Sequence, residues 1–240
     1  MNFTVFETEG EVASWAADRI EALFARRPEA LLCIAAGHSS LGVFDELVRR
    51  KVDFSRGWFA AMDEWRGMNE HTPGSCGDFL RKHFLSRVKF QEEHIRLVDG
   101  AADDLDAECK AVEDFVEARG GFDLILLGMG MNGHLALNEP GVDPALSVHV
   151  TRLDEVTMRV GQKYFDAPST LQGGVTIGLA DIRKAKEILL CVQGAHKREI
   201  LNKMMTGPVS NALPASLLRE LPHAATACDR SAAGALTAVL

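Results

Sequence analysis

The sequence predicts an α/β fold, with one doubly wound, mostly parallel, Rossmann-like sheet and helices on both of its faces. Short, continuously apolar runs recur along the chain, which is typical of strands buried in a parallel sheet. Segments of helical period alternate with these runs, as in strand–helix–strand units. The 240 residues, 47% of them hydrophobic, suffice for one substantial core. We therefore expect a single domain over residues 1–240.

The apolar runs predict six strands, over residues 30–36, 58–62, 122–127, 174–178, 188–192 and 224–228. Ligands on open α/β sheets bind beyond the carboxyl ends of the strands. This rule directs attention to three segments that each follow a predicted strand, residues 37–40, 63–65 and 128–139.

The first helix has a clear start, because Thr8 and Glu11 have capping-box spacing and apolar residues then recur at helical period. Arg26, Arg27 and Pro28 end it. Another helix is predicted to start at Ser75 and Asp78. The remaining predicted helices cover residues 41–50, 107–118, 195–205 and 214–221.

Charge and cysteine usage exclude several classes of protein. A net charge of -8 disfavours nonspecific binding to nucleic acid or to an anionic membrane. The N-terminus lacks a signal-peptide pattern, and no apolar run approaches membrane-spanning length. The five scattered cysteines form no CxxC pair, which argues against a zinc knuckle and fits a reducing compartment. We expect a soluble, cytoplasmic protein.

Gly128, Gly130 and Gly133 spell G-x-G-x-x-G directly after a predicted strand, which is the fingerprint of dinucleotide binding. The context argues against that function, because Pro140 and Gly141 stop any long helix that could hold a pyrophosphate. No second strand ends in an acidic residue at the required distance. We expect no nicotinamide or flavin cofactor, and glycines that let the backbone approach a small ligand.

The segment GMGMNGHLALNEP brings Asn132, His134, Asn138 and Glu139 close together at the end of a buried strand. A histidine near its reference pKa of about 6.5 can act as acid and base at neutral pH. The amide and the carboxylate could fix its tautomer. A polar turn in which His134 caps a backbone group is the alternative, and we favour a catalytic cluster.

Asp63 and Glu64 follow another predicted strand. Adjacent strand residues point to opposite faces, so only one of the two can enter a site. An aspartate with a reference pKa of about 3.9 is ionised at pH 7 and can serve as a base without help from its surroundings. A helix cap or a turn aspartate is the equally plausible structural interpretation.

The segment 37–40 (Gly37, His38, Ser39, Ser40) lies between a strand and a helix, where backbone N–H groups favour an anion such as phosphate. A capped turn is the structural alternative, and for His38 a solvated loop histidine is favoured over a ligand contact. Lys197 starts a predicted helix, where a cation opposes the helix dipole. An anionic ligand would explain that placement, although an exposed surface lysine is equally possible.

Taken together, MDEW, HTPGSCGDFLRKHF, LLGMGMNGHLALNEPG and LQGGVTIGLADIRKAKEILLCVQGAHK resemble the glucosamine-6-phosphate deaminase/isomerase family, in family order from about Leu31 to Asp229. GHLALNEP is the most specific part. The related 6-phosphogluconolactonases share the fold and the glycines but lack this Asn-Glu-Pro. PGSC, GLADI and SNALPAS are more similar to the galactosamine-6-phosphate isomerase branch.

The resemblance implies a role for each matching position. Asp63 would move the proton from C2 to C1 of the sugar, and His134 would open the sugar ring with Glu139 orienting it. The segment 37–40 would hold the phosphate together with Lys197. Lys163 falls where the family has a phosphate-binding arginine on a mobile lid.

Four departures from the family pattern affect what the resemblance implies. Asn132 stands where many members have an aspartate, so it can fix the imidazole but cannot stabilise imidazolium by charge. The phosphate loop reads AAGHSS, and lysine at 163 gives up the bidentate geometry of arginine. The long C-terminal tail of the allosteric hexameric members is missing, so we expect a monomer or small homo-oligomer without that allostery.

The implied activity is isomerisation and deamination of glucosamine or galactosamine 6-phosphate to a ketohexose 6-phosphate and ammonia. The expected partner is this small sugar phosphate, with no cofactor and no metal. One alternative is a lactonase acting on a phosphorylated sugar lactone. Another is a non-catalytic sugar-phosphate sensor, but such a sensor usually carries a helix-turn-helix segment, for which we find no spare N-terminal sequence.

Overall fold

The computed structural model describes residues 1–238. Its strands are, in chain order, β1 (Asn2–Phe6), β2 (Leu31–Ile34), β3 (Trp58–Ala60), β4 (Asp63–Trp65), β5 (Ile95–Arg96), β6 (Leu124–Leu127), β7 (His149–Thr151), β8 (Gly174–Thr176), β9 (Ile188–Val192) and β10 (Ala224–Asp229). Seven of them form one sheet in the order β1-β10-β9-β6-β2-β3-β5, and every pairing in it is parallel. A small antiparallel sheet has the order β4-β8-β7.

The helices that cover and flank these sheets are α1 (Glu9–Arg26), α2 (His38–Arg50), α3 (Cys76–His83), α4 (Leu105–Glu117), α5 (Glu155–Gly161), α6 (Leu179–Lys184), α7 (Arg198–Thr206) and α8 (Arg230–Ala233). Short 3-10 turns lie at Leu85–Arg87, Glu92–His94, Gln162–Tyr164, Ala195–Lys197, Pro214–Glu220 and Gly234–Ala238. The predicted capping box of α1 is present, with both Thr8 and Glu11 making their reciprocal bonds. Ser75 caps α3 as predicted.

The main sheet is buried on both faces. Alternate residues of each central strand belong to different core clusters, since Leu32 and Ile34 pack with α1 and α2, whereas Leu31 and Cys33 pack on the opposite side. The second cluster contains residues of α6, α7 and α8. This two-sided burial explains the continuous apolar runs, and the predicted fold class, a mostly parallel sheet with helices on both faces, is confirmed.

Several details differ from the sequence-based expectation. The strand predicted over 58–62 ends at Ala60, and Asp63 starts a strand of the second sheet instead of following a main-sheet strand. The strand predicted over 174–178 also lies in the second sheet. The helix predicted from residue 41 begins at His38, and the helix predicted over 214–221 is a 3-10 turn.

The edge strand β1 was missed, because its alternating burial gives no continuous apolar run. Within residues 1–238, no helix combines the length and the apolar character needed to cross a membrane. Residues 239 and 240 of the predicted 1–240 domain lie outside the described residues.

Candidate active site

A cavity of about 260 Å³ lies beyond the carboxyl ends of β2, β6 and β9, where the strand topology leads one to expect a ligand. Its walls include most of the residues singled out from the sequence, namely Gly37, His38, Ser39, Asp63, His134, Lys163 and Lys197. Asn132 and Glu139 are absent from the cavity wall and lie behind the imidazole of His134. Residues from five separate stretches of chain therefore meet at one site.

Asp63 reaches the cavity because the small sheet holds its strand across the end of the large one. Its backbone pairs with Thr176 of β8, and only 9% of the residue is exposed. Burial raises the pKa of Asp63 to about 7, with the nearby Cys76 thiol lowering it and the Glu64 carboxylate raising it. The reference pKa of about 3.9, from which the sequence predicted an aspartate ionised at pH 7 without help from its surroundings, therefore does not apply, and the carboxylate is a stronger base than an exposed one.

Glu64 points away from the cavity, which confirms that only one of the two adjacent acids can enter the site. Its carboxylate accepts hydrogen bonds from the backbone N–H groups of Trp65 at 2.8 Å, Cys76 at 3.0 Å and Gly77 at 2.8 Å. Cys76 and Gly77 form the first turn of α3, where a negative charge is favoured. Glu64 thereby fixes β4, and with it Asp63, to the N-terminus of α3.

The hydrogen bonds around His134 define its neutral tautomer. Asn132 donates from Nδ2 to Oε2 of Glu139 at 2.7 Å, so its Oδ1 is the atom that faces the imidazole. That oxygen can only accept, and it lies 2.8 Å from Nδ1 of His134. Nδ1 therefore carries the proton, and Nε2 of the neutral ring keeps a lone pair for acid–base chemistry.

Glu139 supplies the negative charge behind this imidazole. Its Oε2 lies 3.6 Å from Nδ1 of His134, and its other oxygen is buried without a hydrogen-bond partner. Burial alone would raise the pKa of Glu139, but the nearby His134 imidazole, the Thr157 hydroxyl and the hydrogen bond from Asn132 hold it below its usual value. The carboxylate is thus ionised at neutral pH.

The three glycines of the G-x-G-x-x-G segment have steric functions. A Cβ at Gly130 would lie 2.3 Å from the His134 ring, and one at Gly128 would lie 2.7 Å from the Ser39 hydroxyl. Gly133 has φ +83°, a conformation that other residues rarely adopt. The chain continues into turns instead of a long helix. The absence of a Cβ at Gly130 and Gly128 therefore lets the side chains of His134 and Ser39 pack directly against the backbone of this segment.

One end of the cavity carries uncompensated positive charge. Lys163 and Lys197 both line it, and neither forms an ion pair with a carboxylate within residues 1–238. Burial, and then the charge of Lys163, lower the pKa of Lys197 to about 8, and its Nζ donates to the Met129 carbonyl at 2.6 Å. Burial also lowers the pKa of Lys163. Two neighbouring ammonium groups, half-buried at Lys197 and exposed at Lys163, favour an anionic ligand in a chain of net charge -8.

The N-terminus of α2 opens onto the same cavity. Gly37 is its N-cap and His38 its first residue, so the helix starts at the cavity wall, where the sequence predicts an anion cradle. The Tyr164 ring stacks on His38 with centroids 5.3 Å apart. His38 is exposed and also lines the cavity, and it lies in the first turn of α2 instead of in a loop.

Several polar residues that line the cavity were not singled out from the sequence, among them Cys76, Thr157, Tyr164 and His196. His196 directly precedes Lys197, and the cavity wall continues from one to the other, so a search one residue to either side would have found it. Thr157 and Tyr164 lie on α5 and the turn after it, which the apolar pattern did not predict. Cys76 gave no signal, because a lone buried cysteine usually packs as a small hydrophobe.

Comparison with known proteins agrees with this geometry. Residues 6–227 match the family model described as glucosamine-6-phosphate isomerases/6-phosphogluconolactonase. A glucosamine-6-phosphate deaminase of Arthrobacter sp. (strain FB24) is 36% identical over 244 residues, covering 98% of this chain and 93% of that protein. Another from Pseudarthrobacter chlorophenolicus is 37% identical over 229 residues, covering 94% and 88%.

Solved structures give the same result. A monomeric glucosamine-6-phosphate deaminase has a TM-score of 0.94 at 30% identity, covering 97% of this chain and 99% of that one. The 6-phosphogluconolactonase of Trypanosoma brucei has a TM-score of 0.75 at 18% identity, covering 98% of both chains, and shares the fold. With the matched family model and relatives above 30% identity over nearly the whole chain, this protein belongs to the glucosamine-6-phosphate isomerase/6-phosphogluconolactonase family.

Proposed function

We propose that this chain is an enzyme that isomerises and deaminates an amino-hexose 6-phosphate, releasing a ketohexose 6-phosphate and ammonia. One observation carries the proposal: a buried base, Asp63, and an imidazole, His134, face a single cavity whose other end holds Lys163 and Lys197. That combination suits a substrate that carries an anionic group at one end and undergoes proton transfer at carbon at the other. Its curated relatives are glucosamine-6-phosphate deaminases.

The phosphate is expected to bind at the positively charged end of the cavity. Lys163, Lys197 and the N–H groups that start α2 at His38 supply positive charge there, and Ser39 adds a hydroxyl. Binding energy from this remote group can then hold the reacting carbons against Asp63.

His134 is expected to open the sugar ring. The lone pair on Nε2 can accept the proton of the anomeric hydroxyl, and the resulting imidazolium can return a proton to the ring oxygen as the bond between C1 and that oxygen breaks. Glu139, 3.6 Å behind Nδ1, favours the imidazolium during this exchange. The product is the open-chain aldehyde.

Asp63 is expected to perform the isomerisation. Its carboxylate removes the proton from C2, and the enolamine formed receives a proton at C1. The amino group at C2 then becomes an iminium group, which adds water and loses ammonia to leave the ketone. A base with a pKa of about 7 is well suited to this transfer at neutral pH.

We also infer the cofactor requirement, the partners, the location and the oligomeric state from the sequence and the resemblance. The reaction needs no cofactor and no metal, the protein binds neither nucleic acid nor membrane, and it is a cytoplasmic monomer or small homo-oligomer. Either epimer, glucosamine or galactosamine 6-phosphate, fits the cavity chemistry. The second candidate function is hydrolysis of a phosphorylated lactone, favoured by the shared fold of the 6-phosphogluconolactonases.

Ammonia release from each of the two amino-sugar phosphates tests the proposal. We expect the purified protein to release ammonia and ketohexose 6-phosphate in equal amounts from at least one of them. Hydrolysis of 6-phosphogluconolactone without ammonia release from either amino sugar would instead establish the lactonase function.

The pH profile of kcat/KM is a further prediction, since it reports groups of the free enzyme. Asp63 has a raised pKa of about 7 and acts as the base, so activity should rise as the pH passes through that value. Lys197 has a pKa lowered to about 8 and attracts phosphate only when protonated, so activity should fall above it. Replacing Lys197 with methionine should raise KM and remove the alkaline fall, and an unchanged profile would contradict the assignment.

A further inference from the structure

The imidazole of His134 has a second polar neighbour that the proposed mechanism does not use. The Thr157 hydroxyl oxygen lies 3.1 Å from Nδ1 of His134. Thr157 is 5% exposed and lines the cavity, yet its side chain is directed at the histidine from a different element, α5. A helical threonine commonly bonds to its own preceding turn, and here the hydroxyl bonds across to the catalytic loop instead.

Donor and acceptor roles assign what this hydroxyl does. Because Nδ1 carries the proton, the Thr157 oxygen acts as a second acceptor for it beside Oδ1 of Asn132. The Thr157 hydroxyl also helps to lower the pKa of Glu139. The hydroxyl thus contacts the same ring nitrogen as the Asn132 amide, which in turn donates to Glu139.

This link matters because the imidazole and the carboxylate do not touch. The distance of 3.6 Å between Nδ1 of His134 and Oε2 of Glu139 exceeds that of a hydrogen bond. Asn132 bridges the two groups but brings no charge of its own. The ring therefore depends on two neutral hydrogen-bond partners at Nδ1 for its orientation, and Thr157 is the one that comes from outside the loop 128–139.

The position of Thr157 also connects this network to the phosphate end of the cavity. Helix α5 ends at Gly161 and continues directly into the turn Gln162–Tyr164, which contains Lys163. Gln162 holds that turn to the helix by donating to the Met158 carbonyl at 3.3 Å and to the Ser169 carbonyl at 2.8 Å. A ligand held by Lys163 would therefore also fix the helix that carries the Thr157 hydroxyl.

We propose that Thr157 is a positioning residue for the ring-opening histidine, and that α5 makes this positioning depend on the occupied phosphate end. The inference rests on the proposed function for its kinetic consequences, whereas the hydrogen-bond role of the hydroxyl is independent of it. Loss of a hydrogen bond in a charged network corresponds to about tenfold to a hundredfold in rate.

The test compares Thr157→Val, which keeps the shape and removes the hydroxyl, with Thr157→Ser, which keeps the hydroxyl. We expect the valine variant to lose about tenfold to a hundredfold in kcat with little change in KM, and the serine variant to recover most of the loss. Thr226→Val is the matched control, because Thr226 is equally buried but its hydroxyl bonds to Met1, far from the cavity. Equal kcat losses in the valine and serine variants would overturn the proposal.

Nitrogen-15 NMR of the histidine ring provides a readout that needs no substrate. In the wild type the signals of His134 should show a proton on Nδ1, and in Thr157→Val they should show a mixture of tautomers. An unchanged Nδ1–H tautomer in that variant would contradict the role of the hydroxyl. Failure of the wild type to release ammonia would count against the proposed function alone.

A double-mutant cycle with Lys163→Met tests the connection to the phosphate end. If substrate phosphate fixes α5 through Lys163, Thr157→Val should cost less in the Lys163→Met background than in the wild type. Strictly multiplicative losses in kcat/KM would show that the two residues act independently and would overturn this part of the proposal.

Discussion

Replacement of Asp63 with asparagine is expected to lower kcat for ammonia release by about a thousandfold. Asparagine keeps the size of the side chain but cannot accept a proton from C2, and no other carboxylate among residues 1–238 lines the cavity beside it except Glu9. The loss should appear with both amino-sugar phosphates and mainly in kcat, because the phosphate end is untouched. Turnover within a few-fold of the wild type would remove Asp63 from its role.

Measurements of Tm, together with a matched variant, distinguish loss of the catalytic base from loss of folding. The pKa of Asp63 is raised from 3.8 to about 7 in the folded state, so stability falls as the pH rises between these values, and Asp63→Asn should raise Tm more at pH 8 than at pH 5. Asp123 is also buried but pairs with Arg27 at 3.1 Å and Lys186 at 2.8 Å, far from the cavity. Asp123→Asn should therefore lower Tm and keep kcat, which is the opposite pattern.

Replacement of His134 with glutamine is expected to lower kcat by about a hundredfold, since ring opening then lacks its acid–base group. The loss should carry a kinetic signature. With ring opening rate-limiting, a substrate deuterated at C2 should show an isotope effect near unity, whereas the wild type should show a larger one.

The control for this variant is His149→Gln, because His149 lies on β7 outside the cavity wall and its Nδ1 contacts the Ser147 carbonyl. We expect it to keep the wild-type kcat and isotope effect. A His134→Gln enzyme with wild-type kcat on the cyclic sugar would show that the ring opens without this imidazole.

The fold was predictable where burial on both faces leaves a continuous apolar run. Such runs located β2, β6, β9 and β10 to within a few residues. The edge strand β1 has one face less covered and gave no such run. The second sheet was missed because its strands have only three residues each. One of them, β4, forms by pairing with a distant strand, as Asp63 does with Thr176, and local sequence patterns do not encode such pairing.

The site residues were predictable where a side chain capable of acid–base chemistry directly follows a predicted strand in the sequence. His134 and Asp63 could be named because each follows an apolar run, and Lys197 because it lies where a helix dipole disfavours it. The pKa of Asp63 could not be predicted, since burial by distant segments sets it. Thr157 could not be found, because its significance depends on a contact with a residue 23 positions away.

Transfer of a label from C2 of the substrate tests the central claim most directly. The protein is incubated with an amino-hexose 6-phosphate deuterated at C2, and the products are followed by NMR. The account predicts that deuterium leaves C2 and appears at C1 of the ketose or in water as ammonia forms, and that Asp63→Asn abolishes this transfer. Deuterium that stays at C2 with the wild-type protein, or that leaves equally fast with Asp63→Asn, would contradict it.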